Sequence, residues 1–249
     1  MMRIIRASWF MIAVLAMPMQ LSAQRKVTFL ASDKLEVTAD FYLYDSGAPY
    51  IILFHQENSS RGEFREIAPK LLRLGFNCLA VDLRSGKESN FVQNETAALA
   101  QKSNLPATTL DCEKDILAAM EYVEKTAIKN RYILFGSSFS ASLAMKAANQ
   151  KKNVTAVIAF SPGEYFAPLT AKDWLKDFNK LLYVTSTRRG QPFVTELAKD
   201  VPAQLLSVYH PSGNGVHGAP ALWNDHPQSG DIWMSLMMFV AKVKEEQYP

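Results

Sequence analysis

The chain has 249 residues, 48% of them hydrophobic, and carries 27 Lys and Arg against 24 Asp and Glu. That is enough apolar material to bury a full core, at a length that suits one α/β domain better than two. The near balance of charge leaves no electrostatic footprint for nucleic acid.

The first 23 residues read as a signal peptide. Arg3 and Arg6 precede an apolar run from Ala7 to Met17 that is too short to span a membrane comfortably, and Leu21-Ser22-Ala23 ends in a small residue suited to cleavage. Removal would leave 25 basic residues against 24 acidic ones, and no cysteine follows the run to carry a lipid. A periplasmic or secreted protein without a stable membrane anchor is therefore expected. In that oxidising setting Cys78 and Cys112 could pair, but one lies in a predicted buried strand and the other at a helix start, so two separate buried thiols are expected.

Residues 24–249 read as a single domain. Segments 27–30 and 36–44 form an antiparallel pair turned at Ser32-Asp33-Lys34. After Gly47-Ala48-Pro49 the pattern changes: apolar strands at 50–54, 77–82, 131–135, 154–160, 181–185 and 204–209 alternate with helices at 63–74, 113–125, 141–148, 172–178, 193–199 and 231–243. Short, continuously apolar strands alternating with helices imply a parallel sheet covered on both faces. Two connections, 83–106 and 210–230, exceed the usual loop length, and the first is expected to border or cover a site.

In such a sheet ligands bind beyond the carboxyl ends of the strands, so chemistry is sought just after each strand. The third of these strands, 131–135, is followed by Gly136-Ser137-Ser138-Phe139-Ser140 and then by a helical run. Strand, sharp turn and helix are the context of a G-x-S-x-G nucleophile elbow, with Ser140 where the pattern has its second glycine. Without that context the pentapeptide would read equally well as a serine-rich helix N-cap. A serine hydroxyl needs a base to take its proton, and a base needs an orienting carboxylate. His217, in the glycine-rich loop 213–218 after the last strand, is the candidate base; a surface loop histidine is the alternative. His55 directly follows the strand at 50–54 and suits an oxyanion loop, while His210 and His226 read as structural and give no zinc spacing.

With Leu53-Phe54-His55-Gln56, Val81-Asp82-Leu83-Arg84, the elbow, Ser161-Pro162-Gly163-Glu164 and Val216-His217-Gly218, the chain resembles the α/β-hydrolase superfamily, especially exported bacterial dienelactone-hydrolase-like serine hydrolases. The resemblance implies a mostly parallel sheet with helices on both faces and a carboxylesterase-like activity on a small-molecule acyl substrate, with no metal or organic cofactor. It implies Ser138 as nucleophile, His217 as base, and the backbone N–H groups of Phe139 and Gln56 as an oxyanion hole. The superfamily's usual acid position reads Thr185-Ser186-Thr187-Arg188-Arg189-Gly190 and holds no carboxylate. Of Glu164, Asp173, Asp177, Glu196 and Asp200, the acids between serine and histidine, Glu164 alone follows a strand end, so it is expected to orient His217. A serine-histidine dyad, or Asp225, is the alternative. His55, Arg188 and Arg189 are candidate substrate contacts, the arginines for a substrate carboxylate or for pairing with Glu164. The missing acid and Ser140 also motivate a different reading, a non-catalytic binding protein on the same fold; a third keeps the nucleophile but passes the acyl group to an acceptor other than water.

Overall fold

The computed structural model describes residues 24–128 and 130–248; the expected signal peptide lies outside them. Eight strands make one sheet in the order β1-β2-β4-β3-β5-β6-β7-β8. They are β1 (Gln24–Leu30), β2 (Glu36–Tyr42), β3 (Tyr50–Phe54), β4 (Asn77–Val81), β5 (Tyr132–Ser137), β6 (Val154–Phe160), β7 (Leu181–Thr185) and β8 (Leu206–Tyr209). β2 runs antiparallel to both β1 and β4, and every other pairing is parallel. The helices are α1 (Ala68–Arg73), α2 (Glu95–Lys102), α3 (Cys112–Thr126), α4 (Phe139–Gln150), α5 (Gln191–Leu197) and α6 (Ser229–Gln247).

The central strands are buried along their whole length and largely apolar because successive side chains enter two different cores. Ile52, Phe54, Leu79, Val81, Leu134 and Val157 pack on one face with residues of α3 and α4. Ile51, Leu53, Ala80, Ile133, Phe135 and Ile158 pack on the other with residues of α1 and α6. Cys78 and Cys112 are buried and free.

Three segments differ from the sequence expectation. The helix expected at 63–74 is divided into a 3-10 turn, Arg61–Phe64, and α1. Pro69 has no N–H to give to the carbonyl four residues back, so one continuous ladder cannot cross it. The helix expected at 172–178 is reduced to the turn Asp173–Leu175, closed by Asp177 at φ 58°. The long segment 83–106 instead contains α2, started by the Asn94 side chain accepting from Ala97 N–H. Only Thr96 and Ala100 of α2 are buried, too few to leave a helical stripe in the sequence.

α2 sits against β2, where Thr38 N–H donates to Thr96 Oγ1 at 2.9 Å. Arg61 fastens the same region by pairing with Asp40, Asp82 and Glu95, and Arg84 pairs with Asp33 and Asp115. Each guanidinium faces several carboxylates, the arrangement that makes a buried charge tolerable. Segment 83–106 thus lies on the β2–β4 side of the sheet.

Candidate active site

β5 runs directly into α4 through Ser138, whose φ of 61° and ψ of −125° fall outside the regions open to ordinary L residues. A turn this tight leaves no room beside it. A Cβ added at Gly136 would meet Ala141 Cα at 2.3 Å and Ser140 O at 2.5 Å. Ser140 fits at the other flank because its hydroxyl is used: Oγ accepts from Ser137 N–H at 2.9 Å and donates to Phe54 O at 2.8 Å, tying the elbow to the end of β3.

Ser138 Oγ lies 2.8 Å from His217 Nε2. The two residues are 79 positions apart and are joined by the loop after β8. That loop is pinned through its backbone. Gly218 N–H donates to Ser161 Oγ at 3.0 Å and Ala219 N–H to Ser137 Oγ at 2.8 Å, both acceptors being buried hydroxyls at strand ends. Gly218 has φ 75°, and a Cβ there would come within 2.6 Å of both Ser137 Oγ and Gln56 Oε1. Partial desolvation within its loop lowers the His217 pKa from its ordinary 6.5.

No hydrogen bond among the described residues joins a carboxylate to His217. Glu164, expected to orient it, is exposed, and its oxygens accept from Ala171 N–H at 2.5 Å and Lys172 N–H at 3.2 Å. The physical reason is local: the chain entering the turn Asp173–Leu175 offers unpaired N–H groups, and the carboxylate takes them. Asp225 makes no bond to His217 either. What Ser138 does meet is Tyr165, whose hydroxyl is 3.3 Å from Oγ and donates to Ser161 O at 3.1 Å. Sequence reasoning passed over it because the strand-end position was assigned to the neighbouring carboxylate.

The expected pair of oxyanion donors is also altered. Phe139 N–H opens α4 and has no hydrogen-bond partner among the described residues. Gln56 N–H, however, is engaged by Glu63 Oε2 at 3.1 Å. Glu63 is fully buried, and desolvation pushes its pKa up to about 7 against the lowering pull of the Ser137 and Ser59 hydroxyls. The next N–H along, that of Glu57, has no partner among the described residues. His55 holds the other side of the same peptide: Nδ1–H donates to Gln56 O at 2.7 Å and Nε2 accepts from Leu83 N–H at 2.9 Å. Burial lowers its pKa to about 4, so the ring is neutral. With 0% exposure His55 cannot touch a substrate, and it is a brace rather than the expected substrate contact.

Segment 83–106 contributes to this brace and not to the mouth of the site. Asn94 Nδ2 donates to Leu83 O at 2.9 Å and to Ser59 O at 3.1 Å, and Lys87 N–H donates to Ser59 O. The groove beside Ser138, about 460 Å³, is lined by Ser161, Tyr165, Arg189, Phe193 and His217 among others, with no residue from 83–106. Arg189 reaches this groove; Arg188 is not among its lining residues, and neither arginine has an ion-pair partner among the described residues. Among the described residues no group of three or more His, Cys, Asp or Glu could hold a metal ion, and no helix is long and apolar enough to cross a membrane.

The family model for the alpha/beta hydrolase fold matches residues 49–238. No sequence among the curated proteins matches the chain. Solved structures do. An esterase of Pyrococcus furiosus superposes with a TM-score of 0.65 at 17% identity, covering 89% of this chain and 91% of that one. A dienelactone hydrolase from Anabaena variabilis gives 0.63 at 14% identity, over 90% and 97% of the two chains. A Butyrivibrio proteoclasticus protein with ferulic acid bound gives 0.66 at 12% identity, over 88% and 100%.

Proposed function

The chain belongs to the alpha/beta hydrolase family, and from that premise we propose that it is a serine hydrolase cleaving a carboxylic ester or related acyl substrate through an acyl-enzyme. The observation that carries this reading is the 2.8 Å approach of Ser138 Oγ to His217 Nε2 at a strained elbow. Ser138 attacks the acyl carbon as His217 takes its proton. Phe139 N–H and Glu57 N–H receive the developing oxyanion, since Gln56 N–H is occupied by Glu63. The imidazolium then protonates the leaving oxygen, and water repeats the sequence to free the acid. His217 works as half of a dyad, held by the Ser137 and Ser161 hydroxyls through its own loop. The esterase and the dienelactone hydrolase of similar fold support an ester substrate, and residues 1–23 support export.

The test is a fluorophosphonate probe, which labels an activated serine without knowledge of the substrate. Parent protein should label and hydrolyse model esters, and Ser138→Ala should lose both, by several powers of ten in rate, with the fold intact. An unlabelled parent favours the second reading, a binding protein on this fold, for which the specific support is that no carboxylate among the described residues bonds to His217.

A further inference from the structure

We propose that Tyr165 is a catalytic residue whose phenol donates a hydrogen bond to the leaving oxygen of the substrate. The inference rests on the serine-hydrolase reading. Ser138 Oγ has one proton and two neighbours, His217 Nε2 at 2.8 Å and Tyr165 Oη at 3.3 Å. The proton of Tyr165 is held meanwhile by Ser161 O at 3.1 Å. A rotation about the phenol C–O bond turns it from that carbonyl toward the reacting atoms.

The flank it approaches from decides which atom it serves. β5 stands between β3 and β6 in the sheet. The oxyanion loop follows β3 on one side of Ser138; Tyr165 follows β6 on the other, the side from which the loop after β8 brings His217. Carbonyl oxygen and leaving oxygen of a tetrahedral intermediate point in different directions, so the phenol is on the leaving side. Its position is built rather than incidental. Gly163 N–H donates to Ser142 Oγ at 3.0 Å and the same hydroxyl donates to Gly163 O at 2.8 Å, fastening the loop to α4. A Cβ at Gly163 would stand 2.7 Å from the Tyr165 ring, so only glycine leaves the ring its place.

The chemistry needs such a group. When the intermediate collapses, the bond between acyl carbon and leaving oxygen breaks, its electron pair goes to that oxygen, and the oxygen takes the proton that His217 received from Ser138. An imidazole with no carboxylate behind it is a weaker base in the first step, and a second donor stabilises the charge gathering on the leaving oxygen. Tyr165 keeps its own proton throughout. Desolvation raises its pKa from the ordinary 10.0, which keeps the phenol a donor over the working range.

The experiment compares parent and Tyr165→Phe on esters that share one acyl group and differ in leaving alcohol, from p-nitrophenol to ethanol. The expected result is a loss in kcat/KM of about 10- to 100-fold on the ethyl ester and little loss on the p-nitrophenyl ester, whose leaving group needs no help. A plot of log kcat/KM against the acidity of the alcohol therefore steepens. Labelling of Ser138 by a fluorophosphonate, which expels fluoride, should keep its parental rate and so report an intact site. Equal losses across the series, slowed labelling, or no loss at all would overturn the proposal. Tyr165→Leu serves as a second variant with the same expectation should the first fail to accumulate. If the parent hydrolyses no ester, or Ser138→Ala retains activity, it is the serine-hydrolase reading that fails instead.

Discussion

At the scale of single residues, the chemistry turns on what stands behind His217. A carboxylate there would favour the imidazolium and raise its pKa; partial burial without one lowers it. In the proposed reaction the neutral ring is the base, so a lowered pKa keeps it competent to more acid conditions. The acid limb of kcat/KM should accordingly fall below pH 6.5, and Glu164→Gln should keep both that limb and near-parental turnover. A limb at pH 7 or above, or a large loss in the Gln variant, would mean that a carboxylate does reach the histidine. Ser138 and His217 were legible in the sequence because each sits at a strand's carboxyl end in a small-residue loop. The partners of Glu164 and of Gln56 were not, because both depend on how a loop closes: Ala171 and Lys172 come back onto Glu164, and Glu63 comes back onto Gln56 N–H. Such competition for one N–H leaves no trace in residue spacing.

At the scale of elements, the strands were readable and the helices less so. Mostly apolar, fully buried runs of five to seven residues mark β3 to β7 because both faces of the sheet are covered. α2, with two buried side chains, carries too little amphipathic pattern to be placed from sequence, and the helix read at 63–74 covers α1 but not the break at Pro69 that sets it apart from its lead-in. The element that matters most to the candidate site is the loop after β8, whose two pinned amides hold His217 beside Ser138. Ser161→Ala leaves Gly218 N–H without its acceptor. An unpaired buried donor costs about 1–3 kcal/mol, part of which appears as a displaced His217. Labelling by the fluorophosphonate should slow about tenfold or more in this variant while the protein still melts cooperatively. An unchanged labelling rate would show that the loop holds the histidine without this bond.

At the scale of the molecule, the sheet separates two duties. The β2–β4 side, with α2, the Arg61 and Arg84 networks and buried His55, is rigid support for the loop after β3. The β6–β8 side carries the groove. It stands open: His217 is exposed, and Tyr165 and Phe193 retain 41% and 42% of their surface. No described segment has to swing away before a substrate enters or a product leaves. Traffic through the site should then be fast relative to bond making and breaking, so that kcat does not vary with solvent viscosity, as it would if a closing segment or product escape set the pace. An open mouth also admits bulk water to the acyl-enzyme from the side the alcohol has just vacated. Competing acceptors would meet water at its full concentration, which makes hydrolysis rather than acyl transfer the expected fate of the proposed intermediate.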